Sequence, residues 1–520
     1  MLKFEEVLLI KQDFLIIGLE IKMNLKINSV SFRGPLDGAV TGILRACDTN
    51  EMVNAVGLDV GAMVIPRSYY DSKARNEYAG AETFFRELSG TFINCISASL
   101  FAGMISKIIS KHVMSDVKTN PSSWFTRNSL ETLNAAWNKG NNTKEYVTTV
   151  FNNMSGHDGH NINKFENIDW NRIEWIDEKI WDKIKWKDAK YKGIQDKLKT
   201  KDGIINEFCN IIHDNNLCKE DKQNVLSVFE KRITNALGVN RSIEVNIDNH
   251  KLESSLINLL RDTHDMGKDI FTNKLADTEK AIKKINKVNK IKAFGAITLS
   301  CILGLTNQYI NRKITEKRTG KKGFVGDVDF VNRENEEQKK DKTLIFKKFG
   351  ASALMLGMVA CTMKVKNFKE FAKKLEFTGP VTSGNAIKTV YGAVITGRFM
   401  AADNGTELRE SMTRDYLGFL NWLVFGGFAA KGVANLLDKK GENLFNYKKE
   451  GKGIKHWLND MTLKTHNELA SKGKEFAKKN MWKLNVANAA GIAYSAITLG
   501  ILLPMLNAKI TNKKAAKNNS

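Results

Sequence analysis

Six residues in this chain recur as a matched polar set: Arg67, Arg86 and Glu87 in its first third, Arg398, Arg414 and Asp415 in its last. Arg86-Glu87 and Arg414-Asp415 each stand just ahead of a long apolar run. A guanidinium fork donates two parallel bonds to phosphate or carboxylate, so such a set could form a paired anion or headgroup site where two repeats meet. Arginines at helix ends more often anchor them at the membrane interface, bonding to backbone or to the neighbouring acid. The sequence favours that second role.

Other candidate constellations are weaker. Cys209, His213 and Cys218 lie within ten residues, and His157 and His160 share the loop MSGHDGH. Their spacing matches no closed zinc site, and a CxxC pair is absent. Ser155, His157 and Asp158 are too close in sequence to converge as a triad. Neither a GxxxxGK[ST] phosphate loop nor a GxGxxG turn is present. The expectation is no catalytic residue, no metal and no cofactor. Six cysteines imply no disulfide framework, because Cys95, Cys301 and Cys361 sit inside apolar runs.

The elements that must position the six polar residues are apolar runs. Residues 484–508 are twenty-five without a charge, about 37 Å as a helix against the roughly 30 Å of a bilayer's hydrocarbon layer. Similar runs cover 92–109, 291–317 and 417–437, and a shorter one covers 349–365. Five spans are expected, within a range of four to six. Small residues four apart, as in Ala98/Ala102, Ala296/Ser300/Gly304, Gly426/Ala430/Ala434 and Ala487/Gly491/Ser495, mark faces where helices can approach closely in lipid.

The runs are arranged as a duplication. FRGP, GAMVIPR and RELSG precede the first run and an AITL segment lies in the second; FTGP, GAVITGR and TRDYLG return downstream, and AITL returns in the last run. The pairs Phe32/Phe377, Arg67/Arg398, Arg86/Arg414 and Ala296/Ala496 are separated by 345, 331, 328 and 200 residues. The drop at the last pair reflects a large insertion in copy one. Their common order carries the argument, since each short match alone is worth nothing.

The fold class expected is all-α: a polytopic helical membrane protein of two span-insertion-span repeats with a helical extramembrane insertion. Its boundaries are an N-terminal segment 1–31, which need not belong to the fold; 32–110, with the first span; the insertion 111–290; the second span 291–317; and a linker 318–376. The second copy follows as 377–437, a short basic insertion 438–483, and the last span with a basic tail, 484–520. No proline occurs between Pro121 and Pro380, which favours long helices. Within the insertion, Trp170, Ile173, Ile176, Ile180, Trp181 and Ile184 fall on one side of a helix expected over 170–186. Trp175 and Trp186 lie off that face and are the expected contacts to headgroups or a partner.

The formal charge is +23, from 80 basic and 57 acidic residues. Lysine dominates and flanks the apolar runs, which suits anionic lipid headgroups better than nucleic acid. The partners expected are the bilayer and a protein held by residues 111–290, with no nucleic acid. The localisation expected is multi-pass membrane with the insertion in the cytoplasm. The role expected is structural or interaction-based and not enzymatic; the alternatives are a small transporter or channel on a duplicated two-span unit, and a membrane-associated enzyme.

Overall fold

The computed structural model describes residues 41–45, 47, 51–113, 125–157, 162–173, 175, 184–238, 243–272, 278–327, 330–331, 342–377, 384–421, 425–441, 443–447, 451, 453–472 and 474–518. The expected N-terminal segment 1–31, the FRGP motif, His160 and residues 176–183 lie outside them. The chain is mostly helical.

Its first part is a helical hairpin. Helix α1 (Glu51–Leu58) runs through a widened π turn (Asp59–Val64) into α2 (Ile65–Ala74). Helix α3 (Glu77–Phe92) starts where the Asn76 side chain accepts the Ala79 N–H at 2.8 Å, the usual way an N-cap satisfies an orphan donor. A second π turn (Ile93–Ser97) leads to α4 (Ala98–Val113).

The stretch expected as the insertion follows. Helices α5 (Arg127–Asn138), α6 (Thr143–Asn152), α7 (Lys201–His213), α8 (Lys219–Leu237) and α9 (Leu256–Met266) close on one apolar core. Phe208 packs edge-on to Phe151 and Phe229, at 5.1 and 5.2 Å between centroids. The insertion also carries what the helical expectation lacked, a four-stranded antiparallel sheet in the order β2-β1-β3-β4. The strands are β1 (Met154–His157), β2 (Ile162–Lys164), β3 (Ile243–Ile247) and β4 (His250–Ser254). Ile243, Val245 and Ile247 alternate inward, and Asp248 turns the hairpin at a φ of 53°, as period-2 burial and a left-handed turn residue require.

The helix expected over 170–186 is corrected in its described part. Trp170–Arg172 is a single 3-10 turn and Ile173 is extended. Asp169 accepts the Asn171 N–H, and the Trp170 ring turns onto Phe165 at 5.3 Å. Local side-chain bonding and aromatic packing override the helical period there.

Helix α10 (Thr278–Thr319) is 42 residues long, about 63 Å. Its first turns put Ala281, Ile282 and Ile285 into the insertion core, and its middle puts Ala293, Ala296 and Ile297 into a second core. The basic helix expected below the second span and the span itself are therefore one rod. Helix α11 (Leu344–Thr362) is followed by α12 (Gly384–Ala401), α13 (Gly405–Leu420) and α14 (Gly426–Leu437). A small hairpin of β5 (Phe445–Tyr447) and β6 (Met461–Leu463) interrupts residues 438–483 before α15 (Lys474–Ile497). A π turn (Thr498–Leu502) then leads to α16 (Leu503–Asn518).

Among the described residues four helices are long and apolar enough to cross a membrane: Glu77–Ile109, Thr278–Thr319, Leu344–Thr362 and Glu475–Lys513. They contain all of the expected runs 92–109, 291–317 and 484–508, and most of 349–365. The expected run 417–437 includes residues 422–424, outside the described set. Small-residue faces meet across these helices. Ala98, Ala102, Ala296 and Ser300 are fully buried, and Ser97 Oγ lies 2.7 Å from Ser300 Oγ. Gly397 admits no side chain because one would meet the Leu305 carbonyl, and Gly500 likewise faces the Ala62 carbonyl.

Candidate functional site

Helices α2 and α3 form one hairpin and α12 and α13 another, and the two meet in the bundle interior. The six residues singled out by type and spacing all lie at that meeting and join one ionic network. Glu87 on α3 is its centre: Arg67 Nη1 lies 3.6 Å from Oε1, Arg86 Nε 3.3 Å from Oε1 and Arg398 Nη2 3.3 Å from Oε2. Asp415 on α13 is the second anchor, with Arg398 Nη1 at 3.0 Å and Arg414 Nε at 3.1 Å from Oδ1. Arg398 thus bridges both carboxylates. Buried charges are tolerated only with such pairing and hydrogen bonding.

The bonds repeat at a constant separation of 328 residues. Arg86 donates to Thr83 Oγ1 (3.0 Å) and to Glu87; Arg414 donates to Ser411 Oγ (3.4 Å) and to Asp415. Asn76 caps α3 and Asn404 caps α13, each accepting the N–H three residues on. Both helices are 16 residues long. Each is followed by π geometry, at Ile93–Ser97 and at Asn421 and Phe425.

An outer tier surrounds the six, and sequence reasoning missed it. Gln308 donates to Glu82 at 3.3 Å, Arg75 donates to Glu410 Oε2 at 2.8 Å, and Arg312 donates to Asp403 at 2.7 Å and to Glu407. Thr511 also donates to the Glu410 carboxylate, and Asn507 to the Glu410 backbone carbonyl at 3.2 Å. Glu82 and Glu410 are 328 residues apart, so extending the register already found at Arg86/Arg414 would have located them. Asp59 joins through Thr91, whose hydroxyl lies 3.1 Å from Oδ2; only its position in an apolar stretch marked it.

A guanidinium stays charged at every physiological pH. The network therefore offers charge and bonding in place of proton transfer. Arg67 is 3 % exposed; its Nε donates to the Leu499 carbonyl at 2.9 Å, while its Nη2 is buried with no partner.

The other candidates have local duties. The Trp175 ring stacks with Trp170 at 6.1 Å and carries the Arg232 guanidinium at 4.9 Å, and Trp186 packs on the insertion core beside Tyr191. Cys209 faces the Thr143 carbonyl at 3.9 Å, and burial pushes its thiol up to about 11. Cys218 Sγ caps α8 by accepting the Asp221 N–H. Among the described residues no three His, Cys, Asp or Glu side chains are grouped to hold a metal ion. No known protein family, curated protein or solved structure matches this chain.

Proposed function

We propose that the chain is a polytopic membrane protein built from two copies of one helical unit, with a structural or interaction role in which the buried ionic network clamps the copies together. The observation that carries the reading is the reach of Arg398, from the second hairpin, to Glu87 in the first. The duplication is supported by the matched capping, helix length and Arg bonding at 328 residues. It is supported again by the long helices, since α10 packs on α3 and α12 while α16 packs on α13 and α2. Each long helix thus touches its own copy's second helix and the other copy's first. In this reading the insertion is cytoplasmic, anionic headgroups meet the lysine flanks, and a protein partner docks on residues 111–290. The orphan Nη2 of Arg67 favours one rival, a small anion transporter, which substrate-dependent flux in liposomes would establish.

The test is to express the chain as two halves cut between residues 331 and 342. Both halves should stay in membranes washed with alkaline carbonate and co-purify in detergent, and Arg398→Gln should release them. Recovery in the wash would end the membrane reading; undiminished pairing with Arg398→Gln would end the clamp.

A further inference from the structure

A pocket opens between the start of α3 and the end of α10, with about 30 Å³ open to the centres of water-sized groups, room for about two of them. Glu82 is its buried acid, 8 % exposed. Gln308 donates to Glu82 Oε1 at 3.3 Å, but Oε2 is buried with no partner. Leaving a buried acceptor unmet is costly. On the α10 wall Asn311 Nδ2 donates to Ser89 Oγ at 3.4 Å and Thr315 Oγ1 to the Asn311 carbonyl at 3.2 Å, so oxygen acceptors are left over there as well. Two guanidinium groups lie near Glu82 and are bonded elsewhere, Arg312 to Asp403 and Glu407, and Arg86 to Thr83 and Glu87.

Glu410 on α13, 328 residues further on, shows what Glu82 lacks. Both of its oxygens are engaged, Oε2 by Arg75 at 2.8 Å and Oε1 by Thr511. The residue 328 beyond Arg75 is Asp403, an acid, which has no guanidinium to return to Glu82. The missing donor is thus a cation's, and the pocket lies where it would enter. Its rim has a second character. Tyr78, Phe85 and Ile314 are exposed, and the exposed Arg318 lies over the Phe85 ring at 4.9 Å. The rim therefore offers a guanidinium fork for phosphate beside an apolar surface.

We infer that this pocket binds a primary ammonium group with a phosphate beside it, as carried by an ethanolamine phospholipid: the ammonium bonds Glu82 Oε2, the phosphate meets Arg318, and the acyl chains follow Phe85 and Ile314 along α3 and α10. Room for about two water-sized groups admits the ammonium and its methylene but excludes the trimethylammonium of a choline lipid. The start of α3 and the end of α10 are also the ends of two helices long and apolar enough to cross a membrane, where headgroups lie. The lipid source rests on the reading of the chain as a membrane protein; the acceptor-lined pocket stands without it.

The experiment uses the full chain in detergent, melted in mixed micelles containing either an ethanolamine or a choline phospholipid with the same acyl chains. The ethanolamine lipid should raise Tm saturably by about 3 °C more than the choline lipid. Glu82→Gln keeps an acceptor for Gln308 and should erase that difference. Arg318→Gln changes only an exposed side chain, so it tests the site even if Glu82→Gln does not fold, and it should raise the ethanolamine lipid concentration at half-effect several-fold. Equal Tm in the two lipids would overturn the site, as would a preference that survives both variants. Soluble phosphoethanolamine giving the same rise as the lipid would overturn the lipid source. Loss of the membrane reading is seen separately, as recovery of the chain in an alkaline carbonate wash.

Discussion

The insertion and the helical bundle are built to opposite plans. In the insertion the interior is mainly aromatic and aliphatic, with Phe151, Phe165, Phe208 and Phe229 fully buried around a few charged groups such as Arg232, Asp221 and Asp262, and most of its lysines face out. In the bundle the interior holds Arg67, Arg86, Glu87, Arg398, Glu407 and Asp415, while Phe294, Ile302, Phe349, Leu354 and Ile501 face out. Apolar burial is a response to water, so the insertion's plan is that of a water-facing domain. Where the surroundings are hydrocarbon, a large apolar side chain gains nothing by going inside, and polar groups must find partners within the protein. Both plans meet along the single helix α10, one of the four helices long and apolar enough to cross a membrane.

The largest test of this contrast exchanges chemistry in the bundle interior. Arg398→Met places an apolar side chain there and leaves Glu87 and Asp415 without their shared partner. Breaking a buried pair in this way costs about 3–5 kcal/mol, and denaturant unfolding of the full chain in detergent would measure it. An unchanged midpoint would mean that the bundle interior tolerates apolar filling as the insertion does.

The same contrast explains what was legible in the sequence. The six polar residues were found because charge is rare beside apolar runs and because Arg86-Glu87 and Arg414-Asp415 keep a fixed register. Their role as a single network was not legible. Whether Arg398 anchors its own helix or reaches Glu87 depends on how two hairpins dock, and no local period records that. The sheet was missed for another reason. Ile243, Val245 and Ile247 alternate over only five residues, too few to outweigh the absence of proline across the whole insertion. The helix drawn over 170–186 failed in its described part because Asp169 and Trp170 have stronger local alternatives than the helical pattern they match.

A second test compares one residue type on the two surfaces. Ile162 on β2 is 60 % exposed and Ile302 in the middle of α10 is 53 % exposed. If both faced water, Asp at either site would change stability by no more than about 0.5 kcal/mol. With lipid at α10, Ile302→Asp should cost about 2.5–3.5 kcal/mol of insertion, and less protein should remain in carbonate-washed membranes. Ile162→Asp should leave the yield unchanged. Equal yields for the two variants would erase the difference between the surfaces.

The smallest effect lies within the insertion and concerns acids for which burial outweighs the partners they have, Arg261 and Ser129 in the case of Asp262. Burial pushes Glu230 on α8 up to about 7 and Asp262 on α9 up to about 6. Asp214 is different: burial raises it, but bonds from Lys190, Tyr191 and the Asn216 N–H together outweigh that and hold it down at about 2. The sign follows from which form the fold prefers. For Glu230 and Asp262 the folded insertion favours the protonated acid, so their contribution is complete below the unfolded values of about 4 and is lost as pH rises to 7. Asp214 acts oppositely, and only below about 4, outside that window. Amide exchange in β3 should therefore report an insertion more stable at pH 5 than at pH 7.5 by about 2 kcal/mol. Glu230→Gln removes the larger shift and should reduce the difference by about half. A flat profile in the wild type, or an unaltered slope in Glu230→Gln, would show that water reaches these acids and that the insertion core is less dry than its aromatic packing implies.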